Sequence, residues 1–175
     1  MADLTASSLA ALPASLRAAV ERDRIALEIV SQAQEAHTAE AAARILGVPV
    51  SDIVKTLVLT DGTGQWVAAI VPGDRRVDRA RVATSVGAKR LRFASADEVL
   101  AHTGYPAGGV APLAFAHPLA VVVDASLATP EGRTVIAGGG RPELLVRIAV
   151  RIIVEHNGAQ VAAISDAPPP PQTHR

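Results

Sequence analysis

Apolar and polar positions change period several times along the chain, and each change marks an element. From Pro13, the residues Leu16, Ala19 and Val20 share one helical face with Ser15 available as a cap, which predicts a short helix. IALEIVS (25–31) alternates apolar and polar side chains, the period of a strand. TAEAAARILG is helical again, capped by Thr38, with Ile45 and Leu46 in its last turn and Gly47 as its stop. Pro49 and Ser51-Asp52 predict a further helical turn, KTLVLT a strand, DGTG (61–64) a hairpin turn and QWVAAIV the returning strand. PGD ends that strand, and VDRARVATSVG predicts a helix with Val77, Ala80, Val82 and Val86 turned inward. KRLRF is a short strand, and Ser95 caps a helix in SADEVLAHTG. After the glycine-rich GYPAGGVAP come the strands LAVVVDASL, RTVIAGGG and ELLVRIAV, a helix over 149–157 and a last strand in AQVAAI.

Helices and hairpin-joined strands interleave here without the regular alternation of a doubly wound parallel sheet. The expectation is an α+β fold: a single domain with a mixed sheet. Residues 1–12 are expected to be a flexible N-terminal segment and 13–166 the domain. DAPPPPQTHR has no core residues and makes 167–175 a disordered Pro-rich tail.

Composition narrows the function. Hydrophobic residues make up 49%, yet the aromatics are only Trp66, Tyr105, Phe93 and Phe115, too few for a single-strand binder that stacks bases on rings. The formal net charge is zero, so no overall field attracts a polyanion. Arg75, Arg76, Arg79, Arg81, Lys89, Arg90 and Arg92 nevertheless cluster, partly offset by Asp74 and Asp78. The absence of cysteine removes disulfides, thiolate metal sites and thiol nucleophiles. MADLT is not a secretory signal, and LLVRIAVRIIV carries Arg147 and Arg151 and is too short to span a bilayer. A cytoplasmic protein without a membrane partner is expected.

Familiar site patterns are missing. The five histidines lack helical metal spacing, and neither G-x-S-x-G nor GxxxxGK[ST] occurs. No metal and no cofactor is expected. Three features carry chemistry instead. Of 17 basic residues 15 are arginine, yet Lys55 stands at the head of KTLVLT, where a compact ammonium is not interchangeable with a guanidinium. By position alone Lys55 also fits a boundary lysine whose stem packs on apolar neighbours. GYPAGGVAP can present bare N–H groups to an oxygen, or simply turn tightly. In AGGGR (137–141), three glycines either form a mobile loop or let a ligand approach the backbone.

In order, DIVKTLVL, AAIVPGDRRVD, VGAKRLRFAS, TGYPAGGVAPLAF, LAVVVDASL and AGGGRPELLVRI resemble the YbaK/prolyl-tRNA-synthetase-associated domain family of aminoacyl-tRNA editing deacylases, over about residues 25–164. The lysine of K-T-L and the G-x-x-x-P loop from Gly108 to Pro112 are the distinctive pair. The resemblance implies a barrel-like, mostly antiparallel mixed sheet flanked by helices. It implies a free-standing trans-editing hydrolase that removes a wrongly esterified amino acid from tRNA, most often tRNA for proline. Lys55 would be the catalytic residue. Thr56, Gly108, Gly109, Val110, Ala111, Pro112, Gly138 and Gly139 would bind the substrate. Ala137 and Leu144 stand where members acting on cysteinyl-tRNA(Pro) carry polar residues, so alanine or another small amino acid joins cysteine as a candidate. The implied partners are the aminoacylated end of tRNA and prolyl-tRNA synthetase, for a monomer or homodimer; the basic segment 75–92 is the candidate for tRNA backbone contact. The competing expectation is a non-catalytic module that uses the same fold to hold a tRNA end, a nucleotide or a synthetase.

Overall fold

The computed structural model of the protein describes residues 9–31, 38–129 and 132–166. Residues 1–8 and the proline-rich 167–175 lie outside the described residues, while Leu12 is already in the core at 2% exposure. The elements are α1 (Ala14–Asp23), β1 (Leu27–Ser31), α2 (Ala39–Leu46), a 3₁₀ turn (Val50–Asp52), β2 (Val54–Thr60), β3 (Trp66–Pro72), α3 (Arg79–Ser85) and β4 (Arg92–Phe93). They continue with α4 (Ala96–Thr103), β5 (Ala120–Asp124), β6 (Thr134–Gly138), β7 (Leu145–Ala149), α5 (Val150–Asn157) and β8 (Gln160–Ala162).

The strands form two sheets, a three-stranded β1-β7-β6 and a five-stranded β4-β2-β3-β5-β8. Four of the pairings are antiparallel, while β3–β5 and β5–β8 are parallel. The fold is thus α+β with a mixed, mostly antiparallel arrangement, as expected. The expected barrel-like closure is not found: among the described residues only an isolated bridge, Ile53 to Ile136, connects β6 with the segment entering β2. A barrel requires a continuous ladder of strand hydrogen bonds, and here the ladder is interrupted.

The five-stranded sheet is covered on both faces, which explains the unbroken apolar run of β3. Val54, Val58, Ala68, Ile70, Val121 and Val123 face the main core with Leu16 and Val20 of α1, Val146 and Ile148 of β7, and Ile153 of α5. The intervening Leu59, Val67, Ala69, Val71 and Val122 pack on the other face against Val82 and Ala83 of α3, Leu91 and Ile164. A strand buried on both sides cannot alternate apolar with polar. Each fully buried large aliphatic side chain adds about 1.5–3 kcal/mol by leaving water. A third cluster joins Ala42 and Ala43 of α2 to Ile53, Ile136 and Leu145, and so seats α2 beside the bridge between the sheets.

Caps follow the sequence in most places. Thr38 accepts from the Ala41 N–H, and Ser95 with Glu98 forms a reciprocal capping box. Ser15, however, lies inside α1, whose cap position is Pro13; proline's fixed φ suits a helix start without a side-chain cap. In α3 the buried pair is Val82 and Ala83, and Ala80 is exposed, because the helix begins only after the Asp78 cap. KRLRF contributes only Arg92–Phe93 as strand, paired at the end of β2.

Candidate active site

Lys55 is the second residue of β2, paired in register with Val71 of β3. Beyond Pro72 the chain turns back, and this turn presents two carbonyls to the lysine. Lys55 Nζ donates to Gly73 O at 3.0 Å and to Arg75 O at 2.9 Å. The turn is locked from the other side, where the Gly73 N–H donates to Ile53 O at 2.7 Å. A Cβ on Gly73 would lie 2.7 Å from Ala39 Cβ and 2.8 Å from Val50 O, so only glycine lets α2 and the 3₁₀ turn close over it. Arg133 Nη2 holds the 3₁₀ turn through Ser51 O at 2.8 Å and Asp52 Oδ1 at 2.6 Å. Burial pushes the Lys55 pKa below its ordinary value; the charges of Glu40 and Asp74 act against this shift and Arg76 with it.

In front of Lys55 is a cavity of about 330 Å³, lined by Lys55, Thr56 and Leu57 of β2, by Glu40 and Ala42 of α2, and by Gly73, Gly108, Val110, Gly138 and Leu145, among others. Five of the residues singled out in the sequence therefore meet in one place: Lys55, Thr56, Gly108, Val110 and Gly138. The hydroxyl of Thr56 is buried and has no hydrogen-bond partner among the described residues, and the same holds for Asp74 Oδ1. An unpartnered buried hydroxyl in a cavity wall is a group in want of a ligand.

The other four have supporting positions. Gly109 and Gly138 make the two glycine-rich loops fit together: a Cβ on Gly109 would lie 2.5 Å from the Arg141 carbonyl carbon, and one on Gly138 2.7 Å from Val110 O. Gly139 packs against Leu144 and donates its N–H to Leu144 O at 2.7 Å. Ala111 is fully buried and not part of the cavity lining, and Pro112 O accepts from Asn157 Nδ2 at 2.9 Å. The Gly109 N–H is committed to Pro106 O, whereas Gly108 and Val110 donate to no backbone carbonyl among the described residues.

Two bracing residues were missed in the sequence. Buried Tyr105 places its hydroxyl 3.0 Å from both Leu113 O and Ala114 O, and Asn157 ties the loop exit to α5. A tyrosine inside a glycine-rich loop was the available signal for the first. Asp124, which ends β5, is buried away from the cavity lining. Its carboxylate accepts from Ser126 N and Oγ at 3.0 and 2.5 Å, and from Ile164 N and Ser165 Oγ at 3.0 and 2.8 Å. Burial alone would raise its pKa; the hydrogen bonds outweigh that and hold it below the usual carboxylate value.

The basic segment is partly committed. Arg81 reaches Asp78, Asp166 and Ser165 O, and Arg92 forms a two-pronged pair with Glu98. Arg79, which also lies 5.6 Å over the Phe93 ring, lines a separate groove of about 430 Å³ with Lys89 and Arg90. His102 stacks on Trp66 at 4.1 Å with His117 beside it, and none of the three lines the Lys55 cavity. No group of three or more His, Cys, Asp or Glu among the described residues could hold a metal ion.

A lysine ammonium, the unpartnered Thr56 hydroxyl and the backbone of two glycine-rich loops thus meet around one cavity of this α+β domain. The chain belongs to the aminoacyl-tRNA editing domain family, whose model matches residues 33–154. It is 39% identical over 87 residues to a proline–tRNA ligase of Trichlorobacter lovleyi, a match covering 50% of this chain and 15% of the ligase. It is 37% identical over 90 residues to the uncharacterized protein YwhH of Bacillus subtilis, covering 51% of this chain and 57% of that one. The crystal structure of a candidate trans-editing enzyme for prolyl tRNA synthetase superposes with a TM-score of 0.76 at 32% identity, covering 90% of this chain and 100% of that one. The chain is thus an editing domain related to a minor part of the length of prolyl-tRNA synthetases. Among its described residues no helix is long and apolar enough to cross a membrane.

Proposed function

We propose that this chain is an aminoacyl-tRNA deacylase that acts in trans, in the cytoplasm, on tRNA for proline carrying a small wrong amino acid such as alanine or cysteine. The observation that carries the reading is the convergence of Lys55, Thr56, Gly108, Val110 and Gly138 on one cavity. Its volume, about 330 Å³, is near the lower end for ligand sites, which suits a small aminoacyl group better than a bulky one.

The reaction adds water to the ester carbonyl, passes through a tetrahedral oxyanion, and releases the amino acid and the ribose hydroxyl of the tRNA. Backbone N–H donors aimed at the developing oxyanion are the most effective stabilisers of such a step. Gly108 and Val110 are suited to this role, since the N–H of Gly109 is used within the loop. Lys55 adds a positive charge whose position is set by two carbonyls, and it anchors the ester or the neighbouring phosphate. Among the described residues the cavity lining contains no cysteine, serine or histidine and so no nucleophile paired with a histidine base; in this reading the attacking group is water, with a substrate ribose hydroxyl assisting proton transfer. Thr56 offers its unpartnered hydroxyl to the same substrate. Arg79, Lys89 and Arg90 are the candidates for tRNA phosphate contact, and prolyl-tRNA synthetase is the enzyme whose errors the activity would clear.

The test is amino-acid release from a panel of mischarged tRNAs by wild type, Lys55→Ala and Lys55→Arg. Cleavage of alanyl- or cysteinyl-tRNA(Pro), lost by about 10²-fold or more in both variants, is the expected result. Intact aminoacyl-tRNA that binds but is never cleaved would replace the enzyme by a binding module. Full activity in Lys55→Arg would remove the specific ammonium from the mechanism.

A further inference from the structure

Two charged side chains line the cavity, Lys55 and Glu40. They come from different elements brought together at Gly73. Its carbonyl accepts from Lys55, and its Cα abuts Ala39 at the start of α2, one residue before Glu40. Glu40 is exposed at the rim, and Lys55 directs its hydrogen bonds to Gly73 and Arg75 rather than to this carboxylate. The charge of Glu40 is nevertheless felt by Lys55, more strongly than that of Asp74. The rest of the lining is neutral, with Ala39, Ala42, Ile53, Val54 and Leu145 forming apolar wall.

An aminoacyl ester carries an ammonium on the carbon next to its carbonyl. Placing that ammonium in an apolar cavity beside a lysine is unfavourable unless a carboxylate is at hand. We propose that Glu40 accepts the α-ammonium of the bound aminoacyl group and thereby restricts the cavity to substrates with an unblocked amino group. Lys55 and Glu40 then read opposite ends of one substrate, the oxygen-rich ester and phosphate on one side and the amine on the other. This assignment rests on the deacylase reading. The plain structural role of a first-turn acid, favourable interaction with the helix N-terminus, would affect stability but not discriminate between substrates.

The experiment compares kcat/KM for alanyl-tRNA(Pro) and N-acetylalanyl-tRNA(Pro) in wild type, Glu40→Gln and Glu40→Asp. Wild type should favour the free amine by about tenfold or more, the ratio expected from one charge-assisted hydrogen bond. Glu40→Gln should bring the ratio close to one, and Glu40→Asp should recover part of it. A ratio unchanged in Glu40→Gln overturns the assignment, as does a wild type that cleaves both substrates equally. A second arm measures binding of the non-hydrolysable 3′-alanylamino-adenosine and its N-acetyl form by calorimetry. Preference for the free amine that disappears in Glu40→Gln supports the assignment even if wild type cleaves neither tRNA, which would sink the deacylase reading alone; absence of that preference in wild type overturns it.

Discussion

Lys55 and Gly73 are joined ammonium to carbonyl at 3.0 Å, so the cation in the cavity wall is positioned by backbone rather than by another side chain. Gly73 is in turn pressed against Ala39 and Val50, with room for no side chain. Gly73→Ala should therefore cost about 1–3 kcal/mol of stability, the usual range for overpacking. It should also lower deacylation by more than the loss of folded protein accounts for, because the acceptor of Lys55 moves. Urea denaturation paired with rates per folded molecule checks this; a fully active, destabilised variant would separate Lys55 placement from catalysis.

Asp74 lies between the two residues whose carbonyls hold Lys55, and its charge opposes the downward shift that burial imposes on the lysine. Asp74→Asn removes that opposition, so the Lys55 pKa should fall further. If the ammonium is the working form, activity declines as pH rises through this pKa. The alkaline limb of the pH profile of kcat/KM should then sit at lower pH in Asp74→Asn than in wild type. An unmoved limb would detach it from Lys55.

Asp124, 2% exposed, accepts four hydrogen bonds, two from Ser126 in the turn after β5 and two, from Ile164 and Ser165, that join β5 to the chain after β8. Asp124→Ala leaves the Ile164 N–H and the Ser165 hydroxyl without this acceptor and should cost about 2–4 kcal/mol. Its folded pKa lies below the unfolded one, so the stabilisation is fully present above the unfolded value and is lost as pH falls through the folded value. The stability gap between wild type and variant, measured by denaturant titration, should hold at neutral pH and narrow below about pH 4.

Arg79, Lys89 and Arg90 line one groove, while Arg81 and Arg92 are tied up in ion pairs. Replacing the first three by alanine should weaken binding of uncharged tRNA. It should also reduce the slope of log Kd against log salt by about one for each phosphate no longer neutralised. An equal loss on replacing Arg17, Arg44 and Arg151 would reduce the effect to net charge.

Much of this architecture was legible because local chemistry and burial agree. Thr38 and Ser95 cap their helices, and Gly47 ends α2 in the left-handed conformation. Pairing was less legible: nothing in the apolar run VVVD specifies that β5 lies parallel to β3, or that the strands divide into two sheets. At the site, the rarity of lysine pointed to Lys55, and the structure places it in the cavity wall. The glycines were harder to assign. One that must pass close to another backbone, such as Gly109 against Arg141, looks the same in a sequence as one that must admit a ligand. Glu40 and Gly73 went unnoticed because each has an ordinary local explanation, a helix-start acid and a turn glycine.

The cavity takes walls from β2 in one sheet, from β6 and β7 in the other, and from α2, yet among the described residues the only pairing between the sheets is the Ile53–Ile136 bridge. No single segment of the chain contains the pocket. A nascent chain that has made β2 and β3 but not β6 lacks a wall, so the site comes into being only once β6 and β7 have been added. On the deacylase reading, a partly synthesised chain that lacks β6 and β7 has no complete site with which to strip amino acids from tRNA.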